Sequence, residues 1–149
     1  MKLEHEIKQS AFQDEYQKLA VNILYTFFWM KEQNAQLLKP FGITMQQYNV
    51  LRILRGQHPK GCTTSDIRSR MLDKMSDTSR LVDRLTKLGL VEKKVNPSDR
   101  RLVVVKITDN GLDLLGKIDL DGDTTETFSG QLSTEEARQV NVLLDKMRG

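Results

Sequence analysis

Residues 76–111 read SDTSRLVDRLTKLGLVEKKVNPSDRRLVVVKITDNG. The first part of this stretch predicts a helix from about Asp77 to Leu88, with Ser76 as its N-cap and Gly89 as the residue that ends it. At helical spacing, one face of this helix is apolar and packs against a core: Leu81, Val82, Leu85 and Leu88. The opposite face carries hydrogen-bonding side chains: Ser76, Ser79, Arg80, Asp83 and Lys87, with Arg84 and Thr86 at its margins. This polar face is therefore available to bind a partner.

The second part of the stretch predicts a β-hairpin, formed by residues 91–95 and 101–107. Val103, Val105 and Ile107 alternate with residues 102, 104 and 106, which is the period of a strand. The predicted turn, residues 96–100, is polar and basic. Because two such short strands are stable only when they pack on neighbouring elements, we expect the hairpin to lie against the helices.

Two shorter helices are predicted before this stretch. Thr44 and Gln47 form a capping box that starts a helix from about residue 45 to 55, and residues 56–61 form a loop. A second capping signal, Thr63 to Asp66, starts a short helix with Ile67 and Met71 pointing inward. The order helix, turn, helix, hairpin predicts a winged helix-turn-helix over residues 43–107.

Amphipathic helices are predicted on both sides of this part. Residues 4–38 contain neither Gly nor Pro and repeat apolar residues every three or four positions, which predicts one helix about 50 Å long. A helix of that length exceeds what one small domain needs, so we expect part of it to contact a second copy of the chain. Residues 109–149 predict further helices, the last opened by a capping box at Ser133. The expected fold is mainly α with a small β-hairpin wing, in a single domain over 1–149 whose flanking helices form a dimer.

The composition excludes several classes of protein. The chain has 149 residues and no run of 18 apolar residues, and its N-terminus is charged rather than apolar, so we expect a cytoplasmic protein that is not in a membrane. Cys62 is the one cysteine, and His5 and His58 are the two histidines, so we expect no disulfide, metal site or cofactor.

Residues 68–106 hold 11 Lys and Arg against 5 Asp and Glu, a local charge of +6. Such a segment is typical of a surface that contacts phosphate, although a solvated face would have the same composition.

Double-stranded DNA is the partner that this pattern favours, because the second helix of a helix-turn-helix enters the major groove. Arg80 is the predicted base contact, since its guanidinium matches O6 and N7 of guanine. Asp83 can accept a hydrogen bond from cytosine, but pairing with Arg80 or Lys87 on the same helix is the favoured interpretation. The predicted DNA-binding set is Ser76, Thr78, Ser79, Arg80, Asp83, Arg84, Lys87, Asp99, Arg100 and Arg101. At the wing, we expect Asp99 to hold a guanidinium while a neighbouring arginine enters the minor groove; the alternative is an ordinary solvated turn.

The same residues resemble the MarR family of bacterial regulators. The resemblance is carried by RLVDRL at 80–85, GLV at 89–91, DRR at 99–101 and ITDNG at 107–111. It implies a homodimer on a pseudo-palindromic operator, usually a repressor and often released by a small phenolic ligand, and it implies that Arg101 is the minor-groove residue. One branch of the family senses oxidants through a cysteine in its first helix, whereas residues 1–61 contain no cysteine.

Two further features have a functional and a structural interpretation. Tyr25, Phe28, Trp29 and Tyr48 can line a pocket for a small aromatic effector, but aromatic residues at helical spacing are more often core. Cys62 can be a thiol sensor, but a free cysteine is more often a small buried apolar residue.

A winged helix that binds protein rather than DNA is the alternative function. We expect no enzyme, because the sequence has no base-activated nucleophile or phosphate-binding glycine loop.

Overall fold

The computed structural model describes residues 1–122 and 124–149. In chain order the elements are α1 (Leu3–Glu6), α2 (Glu15–Leu38), a 3-10 turn (Lys39–Phe41), α3 (Met45–Gly56), β1 (Cys62–Thr63), α4 (Thr64–Arg70), α5 (Thr78–Lys87), β2 (Val91–Asn96), β3 (Asp99–Ile107), α6 (Asp109–Leu120), α7 (Thr124–Ser129) and α8 (Thr134–Arg148). This order confirms the predicted fold class, a mainly helical chain with a winged helix-turn-helix between flanking helices.

Local capping chemistry fixes the start of three helices where the sequence predicted them. At α3, the Gln47 backbone N–H donates to Thr44 Oγ1 (3.2 Å) and the Thr44 N–H donates to Gln47 Oε1 (2.9 Å). The same reciprocal arrangement starts α4 at Thr63 and α8 at Ser133. Each box satisfies two N–H groups that have no partner within the helix, so these predictions from short sequence patterns are confirmed.

The sheet is antiparallel with strand order β1-β3-β2. The hairpin forms as predicted, but its turn is shorter than the five residues expected. Asn96 pairs with Asp99, so only Pro97 and Ser98 form the loop, and the Ser98 N–H donates to Asn96 Oδ1 (2.9 Å). On its other edge β3 pairs with β1, where Cys62 lies opposite Val105. The hairpin is thereby attached to the segment that leads into α4.

The core lies between α3, α4, α5, α6, the sheet and the C-terminal end of α2. Its fully buried side chains are Leu38, Val50, Leu51, Leu54, Ile67, Met71, Val82, Leu85, Val105, Leu115 and Ile118. The inward positions predicted for α4 are confirmed, and Val82 and Leu85 anchor α5. The prediction for Leu88 was wrong, because this side chain is 54% exposed. Helix α5 ends at Lys87, Gly89 turns the chain with φ +71°, and the Leu90 N–H bonds back to the Leu85 carbonyl (3.0 Å), so Leu90 folds inward instead.

The single helix predicted over residues 4–38 is broken, and this prediction was wrong. Helix α2 starts at Glu15, where the Asp14 carboxylate accepts the Gln17 N–H (2.8 Å). Aspartate favours the N-cap over a helix interior, because its short carboxylate accepts a hydrogen bond from a backbone N–H at the helix start. Helix α1 folds back along α2 instead, with the Tyr25 hydroxyl donating to Glu6 (3.1 Å).

Helices α2 and α8 expose apolar side chains that a single copy of the chain does not cover. On α2 the most exposed are Tyr16, Leu24, Phe27 and Phe28, between 57% and 83% exposed. On α8 they are Val140, Val142, Leu143 and Met147, between 45% and 64% exposed. Several large apolar side chains exposed on the same two helices are typical of a protein interface.

Candidate nucleic-acid interface

Helix α5 starts one residue later than the sequence predicted. Asp77, not Ser76, is the N-cap, and its carboxylate accepts the Arg80 backbone N–H (3.1 Å). Ser76 belongs to the preceding turn, where its N–H donates to the Asp73 carbonyl (3.2 Å). This cap stabilises the first turn of α5, from which the side chains of Ser79 and Arg80 project.

The predicted polar face of α5 is on the surface. Its exposed members are Ser79, Arg80, Asp83, Arg84 and Lys87. Thr78 differs from them, because it is only 4% exposed and its hydroxyl, like that of Ser76, has no hydrogen-bond partner within residues 1–122 and 124–149. Position 78 is the first residue of the helix and faces the groove between α4 and α5, so its side chain is not available on the outer face.

Asp83 pairs with a residue that the sequence did not predict. Its carboxylate contacts the ammonium group of Lys93 on β2, instead of Arg80 or Lys87 on its own helix. The hydrogen bond from Lys93 holds the pKa of Asp83 below its usual range, and the charge of Lys87 adds to this effect. The ion pair joins α5, which we call the reading helix, to the wing formed by β2 and β3. The separation of 10 residues along the chain gave no indication of this contact.

The tip of the wing is built by backbone contacts. Asp99 was expected to hold a guanidinium, but its carboxylate accepts the backbone N–H of Arg101 (3.0 Å). Arg100 and Arg101 are both exposed, and within the described residues neither forms an ion pair. Both guanidinium groups are therefore free for an external anion.

One further residue positions this surface and was missed by sequence reasoning. The Asn49 side chain on α3 accepts the Leu72 N–H (2.9 Å) at the start of the turn that leads into α5. Asn49 is 23 residues away from Leu72, and a single asparagine in a helix carries no local signal for such a contact. The hydrogen bond fixes the turn between the two helices relative to α3.

The four aromatic residues predicted for an effector pocket do not form one cluster. Tyr48 is buried in the core of α3, and its hydroxyl accepts a hydrogen bond from Arg52 (2.9 Å). Trp29 packs edge-on against Phe128 of α7, Tyr25 donates to Glu6, and Phe28 is 61% exposed beside Phe27. Within the part of the chain that the structure describes, no ring contact joins Tyr48 to the three aromatic residues of α2.

Cys62 is buried in β1. Burial raises the pKa of its thiol, and the nearby Asp66 carboxylate raises it further. A thiol with a raised pKa forms less of the reactive thiolate at neutral pH. These surroundings favour the structural interpretation of Cys62 over the sensor.

None of the helices formed by residues 1–122 and 124–149 combines the length and hydropathy that a bilayer span requires. The same residues contain no group of three or more His, Cys, Asp or Glu side chains arranged to hold a metal ion.

The fold and this surface define the class: a winged helix-turn-helix protein with an exposed, basic reading helix beside a basic wing. Residues 41–102 match the profile of the MarR family. A MarR transcription factor from Planctomyces limnophilus is 32% identical, with 93% of this chain and 98% of that chain covered and a TM-score of 0.65. The chain belongs to the MarR family of transcriptional regulators. Because the family consists of transcription factors, the expectation that the chain is not an enzyme is confirmed.

Two other similar proteins extend the comparison. A mutant Escherichia coli MarR, solved in complex with operator DNA, is 26% identical over 93% of this chain and 99% of that chain, with a TM-score of 0.76. The transcriptional regulator BilQ of Clostridioides difficile is 31% identical over 54% of this chain and 53% of its own length. The chain spans about half the length of BilQ and of two further curated transcriptional regulators that it matches, YfiV and YhbI of Bacillus subtilis.

Proposed function

We propose that this chain binds double-stranded DNA with sequence preference and acts as a homodimeric repressor on a pseudo-palindromic operator. The observation that carries the proposal is the exposed face of α5, whose arginines and hydroxyls lie beside the wing through the contact of Asp83 with Lys93. A helix with such a face suits the major groove, and a basic wing beside it suits the adjacent minor groove. The E. coli MarR structure with operator DNA supports the same partner for this chain.

The dimeric state in this proposal is supported by the apolar faces of α2 and α8. Exposure of the apolar surface of side chains such as Tyr16 (83% exposed) and Leu143 (64% exposed) to water is unfavourable. This surface becomes buried if two copies of the chain associate through these helices. A two-fold dimer presents two reading helices to successive major grooves, about 34 Å apart, which is the spacing of a pseudo-palindromic site.

A small aromatic effector that releases the DNA is also part of the proposal. It is supported by the family to which the chain belongs and by the partly exposed aromatic side chains of α2, Tyr25, Phe28 and Trp29. Tyr48 is not included in this site, because it is buried in the core. An effector acts in this way if it binds better to a dimer whose reading helices have the wrong separation for DNA.

The experiment is a titration of the full chain with a pool of random duplex DNA across a series of salt concentrations. We expect the affinity to fall steeply with salt, by about 10³-fold or more between 50 and 200 mM if six or more phosphates are contacted. No binding, or binding that does not change with salt, would overturn the proposal. A stable protein partner with no DNA retained would favour a protein-interaction module instead.

A further inference from the structure

The turn before α5 carries an exposed apolar side chain at the edge of the polar reading face. The Met75 side chain is 92% exposed, and its neighbours in the sequence, residues 73, 74, 76 and 77, are all polar or charged. The backbone at this position is held in the turn, because the Met75 N–H donates to Asp73 Oδ1 (3.0 Å) and the Ser76 N–H donates to the Asp73 carbonyl (3.2 Å). The turn is also tied to α4, where Lys74 Nζ donates to the Ser69 carbonyl (2.7 Å).

Met75 lines the groove between α4 and α5. The other groups in that groove include Arg68 of α4, Ser76 of the turn and Ser79 in the first turn of α5. In helix-turn-helix proteins it is this N-terminal end of the reading helix that contacts base edges. The groove is formed by α4, α5 and the turn, so association through the apolar faces of α2 and α8 involves other elements and leaves Met75 exposed.

The base edges in the major groove offer one apolar group, the C5 methyl of thymine. A methionine side chain suits such a contact because it is unbranched and its flexible thioether adapts to the surface that it meets. A serine or arginine contact at the same place selects for hydrogen-bonding groups, whereas a methionine selects for the methyl. We propose that Met75 determines specificity by packing against the C5 methyl of a thymine in each half-site. This inference rests on the proposed function, because it requires the chain to bind duplex DNA.

The first step of the test is selection of bound sequences from a random duplex pool by the wild-type chain and by Met75→Ala. We expect the wild-type sites to contain a thymine at one fixed position of each half-site and the variant sites to lose that preference. The second step replaces this thymidine in one half-site by deoxyuridine, which removes only the methyl group. The wild-type affinity should fall about fourfold, the equivalent of about 0.8 kcal/mol for one buried carbon. The affinity of Met75→Ala should not change.

Two variants serve as controls. Leu72→Ala removes the other exposed apolar side chain of the turn, which is 78% exposed but is not among the residues that line the groove, so this variant should respond to deoxyuridine like the wild type. Met75→Leu keeps an apolar side chain and should retain most of the response. An equal loss of affinity for wild type and Met75→Ala on removal of the methyl, or no loss for either, overturns the inference while DNA binding stands. A wild-type chain that binds no duplex overturns the proposed function itself.

Discussion

The Lys93 ammonium group on the wing strand contacts the Asp83 carboxylate on the reading helix. Asp83 is therefore neutralised by a neighbour on another element and is not a free negative charge directed at DNA. The pair also links α5 to the wing, and the proposed function requires these two elements to contact the same DNA duplex. Because both side chains are about half exposed, we expect its effect to be on wing position rather than on the stability of the fold.

The first prediction concerns the protonation of Asp83. Lys93→Gln removes the positive charge and leaves at most a neutral hydrogen-bond donor beside this carboxyl, so the pKa of Asp83 should rise toward the ordinary aspartate value. The sign follows from the lowered pKa: the ion pair is present at neutral pH and is lost as the pH falls through the pKa of the folded protein. An NMR titration of the Asp83 carboxyl carbon measures the shift. Lys94→Gln is the matched control, because Lys94 pairs with Glu92, and an equal shift in both variants would contradict the contact.

The second prediction separates the two arginines of the proposed interface. Arg80→Ala should reduce the preference for one base pair by about 1–3 kcal/mol, because a bidentate contact to guanine is lost. Arg101→Ala should weaken binding to all sequences and reduce the dependence on salt, because its guanidinium is assigned to the minor groove. Binding assays on a panel of single-base variants of a selected site distinguish the two effects. Negligible changes in both variants would show that this face does not contact DNA.

The third prediction compares two glycines of α6. A Cβ at Gly111 would lie 2.3 Å from the Leu90 carbonyl and 2.6 Å from Ile107, whereas a Cβ at Gly116 meets nothing within 4 Å. Gly111→Ala should therefore lower the free energy of unfolding by about 1–3 kcal/mol, since the backbone of residue 90 must move. Gly116→Ala should raise it by about 0.5–1 kcal/mol, because alanine is the better residue in a helix interior. Urea denaturation measures both, and equal effects would contradict the close packing of α6 on the wing.

The fourth prediction tests the proposed dimer. Leu143→Glu introduces a charge into the apolar face of α8, and burial of an unpaired charge is strongly unfavourable. Sedimentation velocity should show a dimer for the wild type and a monomer for this variant. Leu72→Glu changes a residue of similar size and exposure in the turn before α5, and this variant should remain a dimer. A wild-type monomer, or an unchanged dimer for Leu143→Glu, would contradict the prediction.

Much of the fold was predictable because its signals are local. The capping boxes at Thr44, Thr63 and Ser133 each involve residues three positions apart. The alternation in residues 101–107 marks Val105 and Ile107, which are buried, but also Val103, which is exposed near the tip of the hairpin. The break before α2 also had a local signal, Asp14 followed three residues later by Gln17, but the absence of Gly and Pro concealed it.

The features that were missed depend on contacts between distant residues. The burial of Thr78 follows from the packing of α4 beside the start of α5. Leu88 is exposed because α5 ends at Lys87 and the turn at Gly89 directs Leu90, instead of Leu88, toward the core. The pairing of Asp83 with Lys93 requires the wing to lie against α5, whereas helical spacing alone favoured Arg80 or Lys87. Periodicity reports which face of an element is apolar, but not which neighbour meets its polar groups.

The hydrogen bond from the Leu72 N–H to Asn49 makes the reading segment dependent on a side chain outside it. A chimera that transplants residues 72–87 into a relative without asparagine at the equivalent of position 49 would orient the transplanted helix differently. A redesign of DNA preference on this scaffold must therefore transfer Asn49 together with residues 72–87.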